Sequence, residues 1–315
     1  MTILDARHGG TFEHDAFVYG SDAAYVEGLV PMIDDAIASG APVYAVVPPR
    51  NAALLRSALH TAADRVVFAD AGDWYSWPAA AIARYDDVLR GLGSEAIPLV
   101  VGEVDFGTTR RDLAEWTRYE AAINDVLAHH AVHVVCPYDE RRLPGTVIDD
   151  VRRTHPHVRA SGERRVSEQY VPPERLLRSF DVGVELPVSE AAIDLDGVVA
   201  LGAARRAFAR IATATGIAPE RVADLTVAVN EVLTNAMLHG GGAARLRVWA
   251  HGPGGITCVV DDDGPGSDDR LLGLRPPRPG GVGGYGLWLA RRLFERSEIT
   301  RAPGGGLRVL LSTVR

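Results

Sequence analysis

Residues 220–240 of this 315-residue chain, ERVADLTVAVNEVLTNAMLHG, carry the clearest structural pattern of its second half. The apolar residues of this stretch recur at helical spacing, which predicts a helix that packs against a sheet. Glu231, Asn235 and His239 stand four residues apart, so they share one face of that helix. An amide oxygen can bind a hard cation such as Mg²⁺, and a carboxylate can order a water or accept a proton. The pattern therefore predicts a polar stripe that faces a ligand.

Two glycine segments follow this helix in the chain. Residues 256–260 (ITCVV) predict a buried strand that runs into DDDGPG (261–266), where glycines let the backbone approach a ligand closely. The segment GGVGGYG (280–286) precedes a predicted helix, and free N–H groups at a helix N-terminus suit phosphates. Each signal alone is weak, because such patterns usually mark helix surface, turns or caps. All three in this order, within about sixty residues, favour a functional site.

The set resembles the GHKL ATPase superfamily, and within it the anti-sigma switch protein kinases, over roughly residues 186–315. The first motif of that family, E-xx-TNA-xx-H, stands here at residues 231–239. The resemblance implies ATP and Mg²⁺ as cofactors, with Asn235 holding Mg²⁺, Glu231 acting as base or water-orienting group, and Asp262 accepting the adenine amino group. It implies an adenine pocket shaped by Gly264 and Gly266, and phosphates that meet Gly284 and Gly286. The residues expected at the nucleotide are Glu231, Asn235, His239, Asp262, Gly264, Gly266, Gly284, Tyr285, Gly286 and Leu287.

The amino-acid composition supports this choice. The chain contains no lysine, whereas a Walker A loop, a eukaryotic-type protein kinase and a Schiff-base enzyme each need one. The net charge of -8 argues against a general binder of nucleic acid or of anionic membranes. No signal peptide or membrane-spanning segment is predicted, and Cys136 and Cys258 fall in separate predicted strands. A cytoplasmic location is therefore expected.

The first half alternates apolar strands with amphipathic helices between residues 40 and 155. This rhythm predicts an α/β fold with a doubly wound parallel sheet, in which ligands sit beyond the carboxyl ends of the strands. The predicted strands are Ala41–Val47, Arg65–Asp70, Ile97–Glu103 and Ala131–Pro137, and helices are predicted around Asn51–His60, Ala79–Leu92, Arg111–His130 and Thr146–Arg153.

This half resembles the MEDS sensory domain of bacterial regulators, which is thought to perceive small organic compounds. The matching stretches include YGSD (19–22), VYAVVPPRNAALLRSAL (43–59), EWTRYEAAIN (115–124) and CPYD (136–139). The resemblance implies a RecA-like fold and an unknown small-molecule ligand. No phosphate-binding G-x-x-x-x-G-K is present, so no ATP hydrolysis is expected here.

Four residues of this half belong to types that bind metals, namely His14, Glu103, Cys136 and His155. Their spacing is not that of a local metal motif, and only the fold could bring them together. We favour the plainer interpretation of a strand-end cysteine with hydrogen-bonded histidines. Five aromatic residues are likewise interpreted as core or cleft lining, although they would suit a small-molecule pocket. They are Trp74, Tyr75, Trp77, Trp116 and Tyr119.

These patterns divide the chain into a MEDS-like domain at 8–170, a Pro-rich linker at 171–187 and a GHKL ATP-binding domain at 188–315. The second domain is predicted as an α/β sandwich, with a helix at Gly197–Thr215 and the motif helix on one face of a mixed sheet. The loop 267–279 carries arginines at 270, 275 and 278, and is predicted to be an ATP lid. The predicted strands are Ala244–His251, Ile256–Asp262, Glu298–Ala302 and Leu307–Val314.

The leading hypothesis is an anti-sigma factor and serine/threonine protein kinase that phosphorylates an anti-sigma-factor antagonist under control of the first half. Its expected partners are that antagonist, a sigma factor or both, and homodimers are common among the relatives. One alternative is a nucleotide-gated module that sequesters a partner without catalysis. Another is a sensor histidine kinase, which needs a helical segment with a phosphoacceptor histidine before the ATP domain. That scheme ranks low, because residues 160–196 contain no histidine.

Overall fold

The computed structural model describes residues 11–93, 96–160, 163–179, 186–196, 200–242, 244–275, 277 and 285–313. The chain divides into two compact units, Met1–Phe180 and Asp181–Arg315. Within the described residues, no helix is both long enough and apolar enough to cross a membrane.

The first unit contains a seven-stranded sheet with the order β3-β2-β4-β5-β1-β6-β7. Every neighbouring pair is parallel except β6 and β7, which agrees with the predicted mostly parallel sheet. The strands are β1 (Phe12–Tyr19), β2 (Val43–Val47), β3 (Val66–Asp70), β4 (Leu99–Gly102), β5 (Val132–Asp139), β6 (His157–Ala160) and β7 (Glu163–Val166). The helices are α1 (Asp22–Ala38), α2 (Pro49–Leu59), α3 (Ala71–Trp74), α4 (Pro78–Gly91), α5 (Arg110–Val126), α6 (Gly145–Thr154) and α7 (Pro173–Arg178).

Strand β1 was not predicted, although it lies inside the sheet between β5 and β6. Its sequence FEHDAFVY mixes charged and apolar residues, and the usual signal of a buried strand is a continuous apolar run. His14 and Asp15 are nevertheless almost completely buried. Asp15 is compensated by Arg159 and Arg164, which come from β6 and β7. Partners so distant in the sequence leave no local signal.

The second unit contains a five-stranded sheet with the order β11-β12-β10-β9-β8, and helices that pack against it. The prediction of a mixed sheet was wrong, because every pair of described strands is antiparallel. Short connections at 252–254 and 302–306 join adjacent strands, and such connections cannot form a parallel pair. The strands are β8 (Ile193–Leu195), β9 (Ala244–His251), β10 (Gly255–Asp262), β11 (Arg296–Arg301) and β12 (Leu307–Ser312), and the helices are α8 (Leu201–Ala214), α9 (Pro219–His239) and α10 (Tyr285–Leu293).

Helix α9 buries its apolar face against the sheet and so fixes the direction of its polar face. Leu225, Val229 and Leu233 are fully buried, and they share one core with Leu246 of β9 and Ile256 of β10. Burial of each such side chain stabilises the fold by about 1.5–3 kcal/mol. The helix cannot rotate without exposing this face, so its polar stripe keeps one direction.

Candidate functional site

A cavity of about 310 Å³ lies beside helix α9 in the second unit. Asn235 and His239 of the polar stripe and Asp262 at the end of β10 contribute polar groups to its lining. This size is at the lower end of the range for small-molecule sites, and a mostly apolar wall with few polar groups is typical of them. The other lining residues are Val232, Ala236, Val260, Pro265, Gly266, Ser267, Leu272, Leu287, Leu307 and Val309.

Asp262 is held in place through one of its two carboxylate oxygens. Its Oδ1 accepts the backbone N–H of Gly264 at 2.9 Å and that of Leu307 at 3.0 Å. Among the described residues, no hydrogen bond engages Oδ2. The side chain is therefore oriented by the backbone and keeps an acceptor for a ligand in the cavity.

Three glycines let the backbone close tightly around Asp262. A Cβ atom on Gly306 would lie 1.9 Å from the Asp262 carbonyl oxygen, and one on Gly240 would lie 2.4 Å from the Asp262 Cβ. A Cβ on Gly264 would lie 2.7 Å from the Cα of Gly240. These distances exclude any side chain at the three positions. The sequence analysis singled out Gly264 but missed Gly240, which directly follows the E-xx-TNA-xx-H motif, and Gly306.

The loop after Asp262 is fixed by backbone geometry and by one arginine. Gly266 has a φ of +69°, in the left-handed region that favours glycine. Arg301 donates to the Pro265 carbonyl oxygen at 3.2 Å and pairs with Asp268 at 2.9 Å. These contacts hold residues 265–268 along the edge of the cavity. Arg301 was not predicted as a site residue.

The first turn of α10 packs against the polar stripe of α9. A Cβ on Gly286 would lie 2.8 Å from the Asn235 side-chain nitrogen and 3.1 Å from the Glu231 Cβ. Among the described residues, the side chains of Glu231 and Asn235 have no hydrogen-bond partner. Leu287 lines the cavity, whereas Glu231, Gly264, Tyr285 and Gly286 are not among its lining residues. Gly284 lies outside the described residues.

A second cavity of about 180 Å³ adjoins the first, because Asn235, Leu272 and Leu287 line both. Its wall includes Arg275 from the predicted lid, and Arg275 pairs with Asp269 at 2.7 Å. Arg275 of the predicted lid and Asn235 of helix α9 therefore line the same cavity. Arg278 lies outside the described residues, and Arg270 is not among the lining residues of either cavity.

In the first unit, the structure brings three of the four suggested metal-binding residues together and leaves the fourth apart. The Nε2 atom of His14 lies 3.3 Å from Cys136 Sγ, and the His155 ring lies 3.9 Å from the His14 ring, centroid to centroid. The fourth member of this group is Glu120 of α5, with Oε2 at 3.4 Å from His14 Nε2. We call His14, Glu120, Cys136 and His155 the buried cluster. Burial raises the pKa of the Cys136 thiol and lowers that of His155.

Glu103 lies elsewhere, directly after strand β4. Its carboxylate accepts the Tyr19 hydroxyl at 3.0 Å and the Asn51 amide at 2.7 Å, and burial raises its pKa. The sequence analysis named Glu103, which ends a predicted strand, and did not consider Glu120. The pairing of β1 with β5, and the packing of α5 near them, are what bring Glu120 to the two histidines.

The suggested aromatic residues divide into two groups. Tyr75, Trp116 and Tyr119 are buried and pack edge to face, which is the core role that was favoured. Trp74 and Trp77 are only partly buried, and no described residue accepts a hydrogen bond from either indole N–H.

Comparison with family models gives two matches, one in each unit. Residues 13–156 match MEDS, the MEthanogen/methylotroph, DcmR Sensory domain, and residues 197–312 match the histidine kinase-like ATPase domain. A comparison with curated proteins found no match. The chain is therefore a regulatory protein of the ATPase or kinase type, in which an N-terminal MEDS sensory domain is joined to a C-terminal GHKL-type, histidine-kinase-like ATPase domain.

Proposed function

We propose that the protein is an ATP- and Mg²⁺-dependent anti-sigma factor that phosphorylates a serine or threonine of an anti-sigma-factor antagonist. The observation that carries this proposal is that Asn235, on α9, and Asp262, at the end of β10, line one cavity. A hard-cation ligand and an oriented carboxylate acceptor in one mostly apolar cavity suit a purine nucleotide with its metal.

The residues present fit this cofactor pair. The Oδ2 atom of Asp262 can accept the adenine amino group, and apolar residues such as Val260 and Leu287 can cover the faces of the base. The Asn235 amide has no partner among the described residues and can offer its oxygen to Mg²⁺. Bound ATP with Mg²⁺ supplies the phosphoryl group. Glu231, one turn before Asn235, takes the proton of the acceptor hydroxyl.

The lid contributes a cation to the same region. Arg275 lines the cavity that adjoins Asn235, and its present partner Asp269 belongs to the same loop. A guanidinium binds phosphate oxygens in a bidentate manner, so Arg275 can exchange Asp269 for a phosphate. This exchange would place a positive charge beside the phosphates of the nucleotide.

The MEDS domain receives the signal as a small organic compound. Tyr19, Asn51 and Glu103 form a hydrogen-bonded group at the carboxyl ends of β1 and β4, the edge where ligands of parallel sheets sit. The indole N–H groups of Trp74 and Trp77, which have no described acceptor, add donors that a ligand could use.

Catalysis is tested by measuring the transfer of phosphate from ATP to the anti-sigma-factor antagonist, with the Glu231→Ala protein in place of the parent. The antagonist is first isolated by affinity capture on the parent protein. We expect transfer to be lost while ATP binding is retained, because Glu231 is not among the lining residues of the nucleotide cavity. Glu220→Ala is the matched control, since Glu220 is exposed in the first turn of the same helix. Full transfer by Glu231→Ala would exclude Glu231 as the base.

A second candidate function is a nucleotide-gated module that sequesters its partner without catalysis. The observation that favours it is that Glu231, the proposed base, does not line the nucleotide cavity. Affinity capture with ATP and without it separates the two. Both candidates predict that ATP changes which partner is captured, a sigma factor or the anti-sigma-factor antagonist. Capture that depends on ATP, with no phosphate on any captured protein, would favour the second.

A further inference from the structure

The buried cluster joins four elements of the MEDS domain and belongs to a different unit from the candidate nucleotide cavity. His14 comes from β1, Cys136 from β5, Glu120 from α5, and His155 is the C-cap residue of α6. All four residues are at most 4% exposed, and their candidate ligand atoms lie within 4.8 Å of one another. Residue types that usually bind metal thus converge in the interior.

Four distances inside the buried cluster are close to those of a tetrahedral site. With metal–nitrogen bonds of about 2.0 Å and a metal–sulfur bond of about 2.3 Å, tetrahedral ligand atoms lie about 3.3–3.6 Å apart. The Nε2 of His14 lies 3.3 Å from Cys136 Sγ and 3.4 Å from Glu120 Oε2. Oε2 of Glu120 lies 3.7 Å from His155 Nε2 and 3.9 Å from Cys136 Sγ. Two of these four distances lie within this range and the other two are slightly longer, and all four candidate ligand atoms lie within 4.8 Å of one another.

The hydrogen bonds behind the two histidines direct a nitrogen lone pair of each into the cluster. The Asn124 amide nitrogen donates to the Thr154 carbonyl oxygen at 2.8 Å, so its Oδ1 is the acceptor for His14 Nδ1 at 3.0 Å. His155 Nδ1 lies 2.9 Å from the Val151 carbonyl oxygen, which can only accept. Both Nδ1 atoms therefore carry the proton, and both Nε2 atoms keep a lone pair, which a metal can take in place of the present contacts with the Cys136 thiol and the Tyr138 hydroxyl. Metal-binding histidines are commonly oriented in this way.

Without a cation, the buried cluster has too few hydrogens for its acceptors. Glu120 Oε1 is buried and has no hydrogen-bond partner in the described part of the chain. Two described groups can donate a hydrogen to these acceptors. One is the Tyr138 hydroxyl, which lies 3.3 Å from His155 Nε2, and the other is the Cys136 thiol. A buried acceptor without a partner costs about 1–3 kcal/mol, so the geometry points to a missing positive ligand.

Two other groups of acidic residues and histidines in this domain are already neutralised by arginine. Asp86, near two histidines, pairs with Arg90 at 2.7 Å, and Asp15 pairs with Arg159 at 2.8 Å and Arg164 at 2.9 Å. In the described residues, no arginine lies within ion-pair distance of Glu120. The buried cluster is therefore the group that lacks a cation.

We propose that His14, Glu120, Cys136 and His155 bind one Zn²⁺ ion that connects β1, β5, α5 and α6. On binding, the Cys136 S–H bond breaks, a sulfur–metal bond forms and the proton leaves to solvent. The thiolate and the carboxylate then balance the charge of the ion, and the two imidazoles remain neutral. Four protein ligands with no open position form a structural site, and imidazole with thiolate suits zinc.

The test is metal analysis of the full-length protein produced in medium supplemented with Zn²⁺ or Co²⁺. We expect about one metal ion per chain, and for cobalt a visible spectrum of a four-coordinate ion with a thiolate-to-cobalt charge-transfer band. Cys136→Ala should lose this band and hold roughly tenfold less metal. Cys258→Ala is the matched control, because Cys258 is equally buried but lies in the other domain.

A pair of carboxylate variants tests the same site without removing sulfur. Glu120→Gln should lower the metal content and keep the charge-transfer band of the remaining cobalt, whereas Glu103→Gln should leave both unchanged. The proposal is overturned if the folded parent protein holds no stoichiometric metal and shows no charge-transfer band. It is equally overturned if Cys258→Ala loses the band, or if Glu103→Gln loses metal while Glu120→Gln keeps it.

Discussion

At the scale of single residues, Asp262 permits a sharp test of the nucleotide site. Asp262→Asn keeps an oxygen for the N–H groups of Gly264 and Leu307, so the local fold should persist. It also places an amide donor where the adenine amino group needs an acceptor. We expect ATP affinity to fall by about 1–3 kcal/mol, with or without Mg²⁺, and the preference for ATP over GTP to weaken.

Titration calorimetry of ATP and GTP measures this effect. Asp263→Asn is the control, because Asp263 is adjacent but does not line the cavity. If Asp262→Asn binds ATP as tightly as the parent protein, the assignment of the adenine pocket is wrong.

Substitution of Asn235 should affect ATP binding differently from substitution of Asp262. Asn235→Ala removes the proposed Mg²⁺ ligand and leaves the carboxylate side of the cavity intact. We expect the Mg²⁺ dependence of ATP binding to disappear, so that affinities with Mg²⁺ and with EDTA become equal. Asn230→Ala on the same helix should keep the parent's dependence. An unchanged Mg²⁺ effect in Asn235→Ala would remove this residue from the metal site.

Site residues can be predicted from the sequence when residues of suitable chemistry lie close together in the chain at a spacing that places them on one face. The interval of four residues between Asn235 and His239 is enough to place them on one face, and the structure puts both at the cavity. Glu120 and Gly306 could not be predicted in this way. Glu120 acquires its neighbours from strands of the sheet, and Gly306 is recognisable only through its contact with the Asp262 backbone.

At the scale of elements, the hairpin of β11 and β12 controls how Asp262 is presented. Gly306→Ala would force a Cβ to within 1.9 Å of the Asp262 carbonyl oxygen, so either the turn before β12 or the end of β10 must move. We expect a loss of about 1–3 kcal/mol in the free energy of unfolding and weaker ATP binding, because β12 also supplies the Leu307 N–H. Denaturant unfolding and calorimetry measure the two effects.

Gly304→Ala is the matched control in the same turn. Its Cβ would meet only the Asp263 side chain, at 3.4 Å, so stability and ATP affinity should change little. Equal effects of the two substitutions would mean that the turn as a whole is sensitive, and that the contact with Asp262 is not the cause.

Element prediction was most accurate for strands and helices with clear apolar periodicity. Strand β9 was predicted with its observed bounds, Ala244–His251, and β10 was predicted one residue short at its start. Strand β1 was not predicted from the sequence, because His14 and Asp15 are of residue types that usually lie at the surface. Their burial is explained only by partners from other elements. The same partners make β1 part of the ion pairs and of the buried cluster. A buried strand that contains polar residues lacks the continuous apolar pattern from which buried strands are predicted.

At the scale of the whole molecule, each unit has an apolar core of its own. One core contains residues between Phe17 and Val135, and another contains residues between Ala204 and Leu311. We therefore expect two unfolding transitions in calorimetry of the full chain, because a domain with its own core can unfold as its own cooperative unit. Hydrogen exchange at intermediate temperature assigns each transition to its residues.

Ligands should shift these two transitions separately. At a hundredfold excess over its dissociation constant, ATP with Mg²⁺ stabilises the native ATPase domain by about 2.7 kcal/mol, roughly 5–15 °C in its transition. Cys136→Ala should lower only the transition of the MEDS domain, because the proposed metal would stabilise that fold alone. A single transition that ATP shifts as a whole would show that the two cores unfold together. Under the proposed function the sensory half regulates the ATPase half. A shift of the MEDS transition on ATP binding would measure the coupling free energy between them.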